Sequence, residues 1–220
     1  GITWEQLDDV FLGWPTTLVA DPQQEGVLYA ISDQQLFKSV NGGATWQAYQ
    51  SGAGFQRIAA HPTESGAIFG LLRGRGNGPR QSLNRAQSWQ SANVGLEEAE
   101  VNSITFDPTN ANVVYAGTQA GLYRSVDGGN TWTVTGLPAN VQVFTVAIDP
   151  QTNTMLYVGG STGLLRSTNN GESWTAATTI NRNVTEIAIN PENPQTVYAA
   201  ANNQLYRSQD GGESWTILSH

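Results

Sequence analysis

A repeat period of about 42 residues, two sequence markers that keep it in phase, and short strands bounded by turn residues predict an all-β chain, a β-propeller of five four-stranded blades. The first marker is tryptophan: Trp4, Trp46, Trp89, Trp132, Trp174 and Trp215 are separated by 42, 43, 43, 42 and 41 residues. The second marker keeps the same step at Asp21-Pro22, His61-Pro62, Asp107-Pro108, Asp149-Pro150 and Asn190-Pro191. Two independent markers in phase do not arise by chance.

The third unit shows how each blade is built. Residues 101–106 alternate in polarity and stop at the Asp107-Pro108 turn, and 112–117, 122–125 and 131–135 follow as three further strands. A parallel β-helix would repeat every ~20–30 residues, and a helical solenoid would carry a 3.6-residue period. Neither pattern is present. The repeats run over about 11–50, 51–93, 94–136, 137–178 and 179–220, in one propeller domain over 1–220. Residues 1–10 copy the fourth-strand sequence and are expected to form a surplus outer strand.

Composition agrees with strands and turns. The chain of 220 residues has 24 Gly and 9 Pro, and only 13% of it is charged. It has no cysteine, which excludes disulfides and Cys-ligated metal centres but leaves the compartment open. Ten basic and 18 acidic residues give a net charge of −8, which disfavours nucleic acid and anionic membrane surfaces as partners. No apolar run approaches the ~20 residues that span a bilayer, so membrane insertion is not expected. The start at Gly1, without a basic and apolar leader, is compatible with a removed signal peptide. We therefore expect an extracytoplasmic protein, secreted or periplasmic.

The connection from third to fourth strand carries one motif five times. It reads Ser125-Val-Asp127-Gly-Gly129-Asn-Thr131-Trp132 in the third unit and Ser208-Gln-Asp210-Gly-Gly212-Glu-Ser214-Trp215 in the last. The first and fourth copies run from Ser39 to Trp46 and from Ser167 to Trp174, with Asn41 and Asn169 in the Asp position. The second, Ser82 to Trp89, is worn: Asn84 holds the Asp position and Ala86 replaces the glycine. A short carboxylate or amide side chain accepts hydrogen bonds from loop N–H groups, glycine supplies a positive φ, and the indole covers the hairpin. The worn copy is expected to hold a looser or differently shaped hairpin. Only two copies keep Asp, so no copy gathers the oxygens a calcium site needs, and the motif reads as scaffold with no metal and no cofactor.

This motif resembles the Asp-box, or bacterial neuraminidase, repeat, and the resemblance covers almost the whole chain. Propellers of that kind include sialidases, xyloglucanase-type glycoside hydrolases, sortilin-type receptor domains and photosystem II assembly factors. The phrase VYAGT followed by GLYRS-DGG-TW looks most like the xyloglucanase- and sortilin-like branch. Fold likeness does not transfer activity. The resemblance to sialidases would imply three converging arginines, and Arg124, Arg166 and Arg207 share one repeat position just before the box. Their place toward the blade periphery reads instead as solvated or strand-pairing arginine. The xyloglucanase-type enzymes hold their acids between two propellers, and this chain has residues for one.

A site should therefore use residues that break the repeat, on the loop face opposite the boxes. Four residues before the Asp-Pro marker stand Thr17, Arg57, Ser103, Thr145 and Glu186, which alternation turns toward the channel. Arg57 and Glu186 are the charged members, and they either pair across a narrow tunnel or meet a ligand. The segment from Arg73 through Arg75 to Pro79 lengthens one loop of the second blade and makes it basic and Gly-rich. It is either a plain surface loop or a place where Arg73 and Arg75 attract an anion or a carboxylate-bearing partner. Glu97, Glu98 and Glu100 could supply a carboxylate pair for glycoside hydrolysis, yet adjacent acids on a loop are usually only solvated. Trp14, with Phe11 nearby, is the one tryptophan outside the repeat. It is either a contact residue for carbohydrate or protein, or a packing residue like Phe55 and Val101.

The leading expectation is a non-catalytic binding or scaffolding propeller that recognises a protein or carbohydrate through Trp14, Arg57, Arg73, Arg75 and Glu186. It would be a monomer closed as a five-bladed ring, or self-associate through the surplus outer strand. The alternatives are a glycoside hydrolase fragment, a photosystem-type assembly factor, and a truncated or engineered propeller without a selected ligand.

Overall fold

The computed structural model describes residues 14–49, 54–74, 76–138, 140–152, 154–181 and 183–218. The surplus strand at 1–10, Phe11 and Arg75 lie outside the described residues. The rest forms five four-stranded antiparallel sheets, the blades of a five-bladed β-propeller, each with its strands in chain order. Blade 1 holds β1 (Pro15–Ala20), β2 (Leu28–Ser32), β3 (Gln35–Ser39) and β4 (Gln47–Tyr49). Blade 2 holds β5 (Phe55–Ala60), β6 (Ile68–Leu72), β7 (Arg80–Ser82) and β8 (Gln90–Ser91). Blade 3 holds β9 (Val101–Phe106), β10 (Val114–Thr118), β11 (Gly121–Ser125) and β12 (Thr133–Val134). Blade 4 holds β13 (Val143–Ile148), β14 (Leu156–Gly160), β15 (Gly163–Ser167) and β16 (Thr175–Ala176). Blade 5 holds β17 (Val184–Ile189), β18 (Val197–Ala201), β19 (Gln204–Ser208) and β20 (Thr216–Ile217). Two compact units divide them: Gly1–Ala92 carries blades 1 and 2, and Asn93–His220 carries blades 3 to 5.

Within each unit the core lies between blades. In the first, Tyr29, Ile31 and Leu36 of blade 1 pack on Phe55, Ile58 and Ile68 of blade 2. In the second, Tyr115 and Leu122 meet Val146, Leu156 and Val158, and then Tyr157 and Leu164 meet Ile187, Val197 and Tyr206. Blade 4 is therefore apolar on both faces, which is why its strands read as near-continuous hydrophobic runs.

Within unit 2 this packing corrects the orientation expected from alternation at two positions, whose blade faces point at the neighbouring blade and not at the channel. Ser103 and Thr145 are buried between blades. Each lies beside a glycine of the paired strand, Gly117 and Gly159, against Val143 and Val184 of the next blade.

A second departure recurs in every blade. The pairing of the innermost strand shifts register between Pro15 and Thr17, Phe55 and Arg57, Val143 and Thr145, and Val184 and Glu186, and β9 shifts at the same place, around Asn102. Each is a β-bulge one residue into the strand, and a bulge re-aims side chains that strict alternation would misplace. The bulged residues help to dress the unpaired strand edge. Thr16 Oγ1 donates to the Gln56 carbonyl at 3.1 Å, and Asn102 Nδ2 donates to the Val143 carbonyl at 2.8 Å.

The box hairpins share one clip. The serine hydroxyl accepts from the N–H four residues on and donates to the Asp or Asn oxygen, which in turn accepts from the Ser or Thr N–H closing the loop. In blade 3 these distances are 2.8, 2.7 and 2.9 Å, through Ser125, Gly129, Asp127 and Thr131. The worn copy is corrected by the same measurement. Its equivalents through Ser82, Ala86, Asn84 and Ser88 are 3.0, 3.0 and 2.9 Å. Arg85 and Ala86 reach that geometry at φ of 62° and 70°, where the other copies use Gly or Asn first and Gly second. The hairpin is the same shape and is strained rather than loose.

Candidate binding site

The strand starts and the β2–β3 turn meet at the end of unit 1 opposite its boxes, where they enclose a cavity of about 420 Å³. Trp14 and Thr16 line it from β1 and the residue before it, Phe55, Gln56 and Arg57 from β5, and Asp33 and Gln34 from the β2–β3 turn. Each wall is fixed by local chemistry. The bulge of β5 places Gln56 and Arg57 on successive re-aimed positions. Thr16 is tied to the Gln56 carbonyl, which fastens one wall to the other. Asp33 and Gln34 are the central pair of a two-residue turn with φ of 47° and 66°, the left-handed geometry that matches hairpin twist. Gln34 has no glycine's freedom there, so this wall holds a conformation costing about 1 kcal/mol or more.

Phe55 forms the floor. It is fully buried and packs against Trp89, with ring centroids 4.4 Å apart and the planes tilted by 47°. Gly70 makes room for it: a Cβ there would stand 2.4 Å from the Phe55 ring.

The candidates separate as follows. Trp14 and Arg57 share the cavity. Trp14 is 85% exposed, and the packing position of blade 1 that corresponds to Phe55 and Val101 is Pro15, as the strand pairings show. Arg57 is exposed on β5. Arg73 is exposed in the loop after β6, where its carbonyl accepts from Asn77 Nδ2 at 2.8 Å, and it does not line this cavity. Arg75 is outside the described residues. Glu186 lies in the other unit, exposed on β17. Asp33, Gln34, Gln56 and Thr16 were not singled out from sequence.

The alternative constellations take structural places. Arg124, Arg166 and Arg207 each pair across their own blade with a tyrosine, Tyr115, Tyr157 and Tyr198, so the three stand on three separate blades. Arg166 reaches Glu213 at 3.6 Å. Glu97 folds back to accept from the Gly95 N–H at 3.0 Å, and that bond holds its carboxyl below the usual range. Glu100 accepts from the Gln119 side chain. Asp210 is also held low, by the Ser214 hydroxyl and N–H first. For Asp127, burial pushes upward, and hydrogen bonds from Thr131 and Ser125 outweigh it. Glu97, Asp127 and Asp210 are thus each shifted downward, the opposite of the raised carboxyl of a general acid. Among the described residues no group of three or more His, Asp or Glu side chains could hold a metal ion.

The sequence profile of the family described as photosynthesis system II assembly factor YCF48 matches residues 81–218, well over half of the chain. The chain belongs to that family. No curated protein matches it. Among solved structures it is similar to an ancestral GH74 enzyme at 25% identity and a TM-score of 0.78, over 98% of this chain and 32% of that one. It is similar to YCF48 bound to D1 peptide at 14% identity and a TM-score of 0.64, over 91% of this chain and 66% of that one. A third likeness, at 16% identity and a TM-score of 0.71, is to the extracellular domain of a protein assigned to a hybrid two component system in B. thetaiotaomicron, over 93% of this chain and 30% of that one. The chain spans about a third of the GH74 enzyme's length. The GH74 enzyme, YCF48 and the extracellular domain share the propeller fold with this chain, and fold likeness alone does not transfer an activity.

Proposed function

We propose that this YCF48-family propeller is a non-catalytic, extracytoplasmic binding module that takes up a segment of another protein in the Trp14–Arg57 cavity. The observation that carries this reading is the cavity itself. It offers an exposed indole, the side-chain amides of Gln34 and Gln56, and two charged groups. Amides present a donor and an acceptor together, as a peptide group does. Among the residues lining the cavity Asp33 is the one carboxylate, and glycoside hydrolysis ordinarily uses two. The YCF48 structure with its D1 peptide supports a protein segment over a sugar as the occupant.

The test is a peptide array and a glycan array probed with the wild-type chain, Trp14→Ala and Arg57→Ala. Binding to peptides that falls about tenfold or more in Trp14→Ala is expected. Binding untouched by both substitutions overturns the site, and hydrolysis of a polysaccharide by the purified chain overturns the non-catalytic assignment.

A further inference from the structure

We infer that the Trp14–Arg57 cavity selects a segment carrying both an acidic and a basic side chain, the acidic one taken by Arg57 and the basic one by Asp33. This rests on the cavity being the binding site and adds its selectivity. Arg57 and Asp33 line the same cavity, yet they come from different blades, one on β5 and the other on the β2–β3 turn of blade 1. Opposite charges sharing a cavity would ordinarily close on each other. Here they form no ion pair: among the described residues the salt bridge within 4.0 Å is that of Arg166 with Glu213. Among the described residues neither side chain has a hydrogen bond either, whereas Asp21, on the Asp-Pro turn at the far end of the blade, accepts from Ser65 and Gly66.

Three physical points favour a doubly charged occupant. A guanidinium presents a fork of donors that matches a carboxylate, and an ionised Asp is an acceptor that matches an ammonium or guanidinium. A purely apolar segment would desolvate both charges and pair neither, which is unfavourable. A segment with acid alone would approach a chain of net charge −8 against its long-range field, whereas an acid–base segment is neutral overall. The carbon stems between the two groups would lie on Trp14, which is exposed.

The experiment uses four fluorescently labelled octapeptide pools on one Ser, Gly and Tyr background: Glu and Lys together at separations of one to four residues, Glu alone, Lys alone, and neither. Anisotropy titration of the wild-type chain is expected to show the doubly charged pool binding about tenfold tighter than either singly charged pool. Arg57→Gln should remove the benefit of Glu and keep that of Lys, and Asp33→Asn should do the reverse. Both positions are exposed, so the variants should fold as the wild type does. Equal binding of all four pools, with loss in Trp14→Ala, overturns the charge selection and leaves the cavity as the site. A preference for one singly charged pool likewise overturns it. Absence of binding to every pool, or binding that Trp14→Ala leaves unchanged, overturns both readings.

Discussion

The hydroxyl of Tyr157 donates to the carbonyl of Gly211 at 2.7 Å, joining the second strand of blade 4 to the box hairpin of blade 5. Tyr115 makes the longer equivalent, 3.4 Å, to Asn170 of blade 4. The hairpin clip thus closes one blade and also receives the next. Removing the hydroxyl in Tyr157→Phe leaves a carbonyl without its partner and should cost about 1 kcal/mol in urea unfolding. Burial pushes the Tyr157 phenol up to about 12, with Arg166 opposing and Asp149 adding. A folded value above the ordinary 10 means that this contribution is whole below pH 10 and is lost as pH rises toward 12. The Phe variant should lose stability less steeply across that window, though not fully, because Tyr29 is also raised to about 12.

Backbone strain in the worn box gives a reciprocal pair of substitutions. Arg85 has a φ of 62°, and Gly128, its counterpart in blade 3, has 70° with nothing within 4 Å of where a Cβ would sit. Arg85→Gly should raise stability by about 1 kcal/mol, and Gly128→Ala should lower it by a similar amount. Chemical denaturation of both variants at one pH checks the pair.

His61 stands where other blades place Asp or Asn. Its Nδ1 accepts from the N–H groups of Thr63 at 3.4 Å and Glu64 at 3.1 Å, a task Asp107 and Asp149 perform with a carboxylate. Protonation would end that acceptance. Burial lowers the His61 pKa from 6.5, with Glu64 pulling the other way. Stability from the neutral ring is therefore present above pH 6.5 and declines as pH falls toward the lowered folded value. His61→Asp should flatten the melting temperature between pH 7 and pH 5. An unchanged slope in that variant would assign the dependence elsewhere.

Blade spacing in unit 2 depends on a glycine facing the next blade. A Cβ at Gly159 would stand 2.6 Å from Val184 Cγ1 and 2.9 Å from the Val184 carbonyl oxygen. The second neighbour is backbone and cannot rotate away. Gly159→Ala should destabilise by about 1–3 kcal/mol through overpacking, and Val184→Ala should relieve part of the strain in the double variant.

The blades were legible in sequence because the Asp-Pro turn and the box are local: each is specified by residues within a few positions of one another. The facing of side chains was not. Alternation assumes one wet face, and Ser103 and Thr145 sit on sheets packed on both. The bulge at Gln56 and its equivalents leaves no mark in the sequence, since Thr, Gln, Asn and Phe all occupy it. Trp14 and Arg57 could be singled out from sequence because they break the repeat. Asp33 and Gln34, which line the same cavity, carry no such signal, because a left-handed turn usually advertises itself with Gly or Asn and here it does not. The family profile names assembly factors, and the GH74 enzyme among the similar structures agrees with the xyloglucanase-like phrase pattern.

The clip of the worn box bears on how such repeats are detected in other genomes. Its hydrogen bonds come from Ser82, Asn84 and Ser88, and the absent glycine changes only the cost of the turn. A search keyed to the glycine would count four blades here, at Gly43, Gly129, Gly171 and Gly212. One keyed to serine, a short acid or amide two residues on, and a hydroxyl four beyond that would count five. Surveys that report incomplete rings in divergent sequences should be repeated with the second rule.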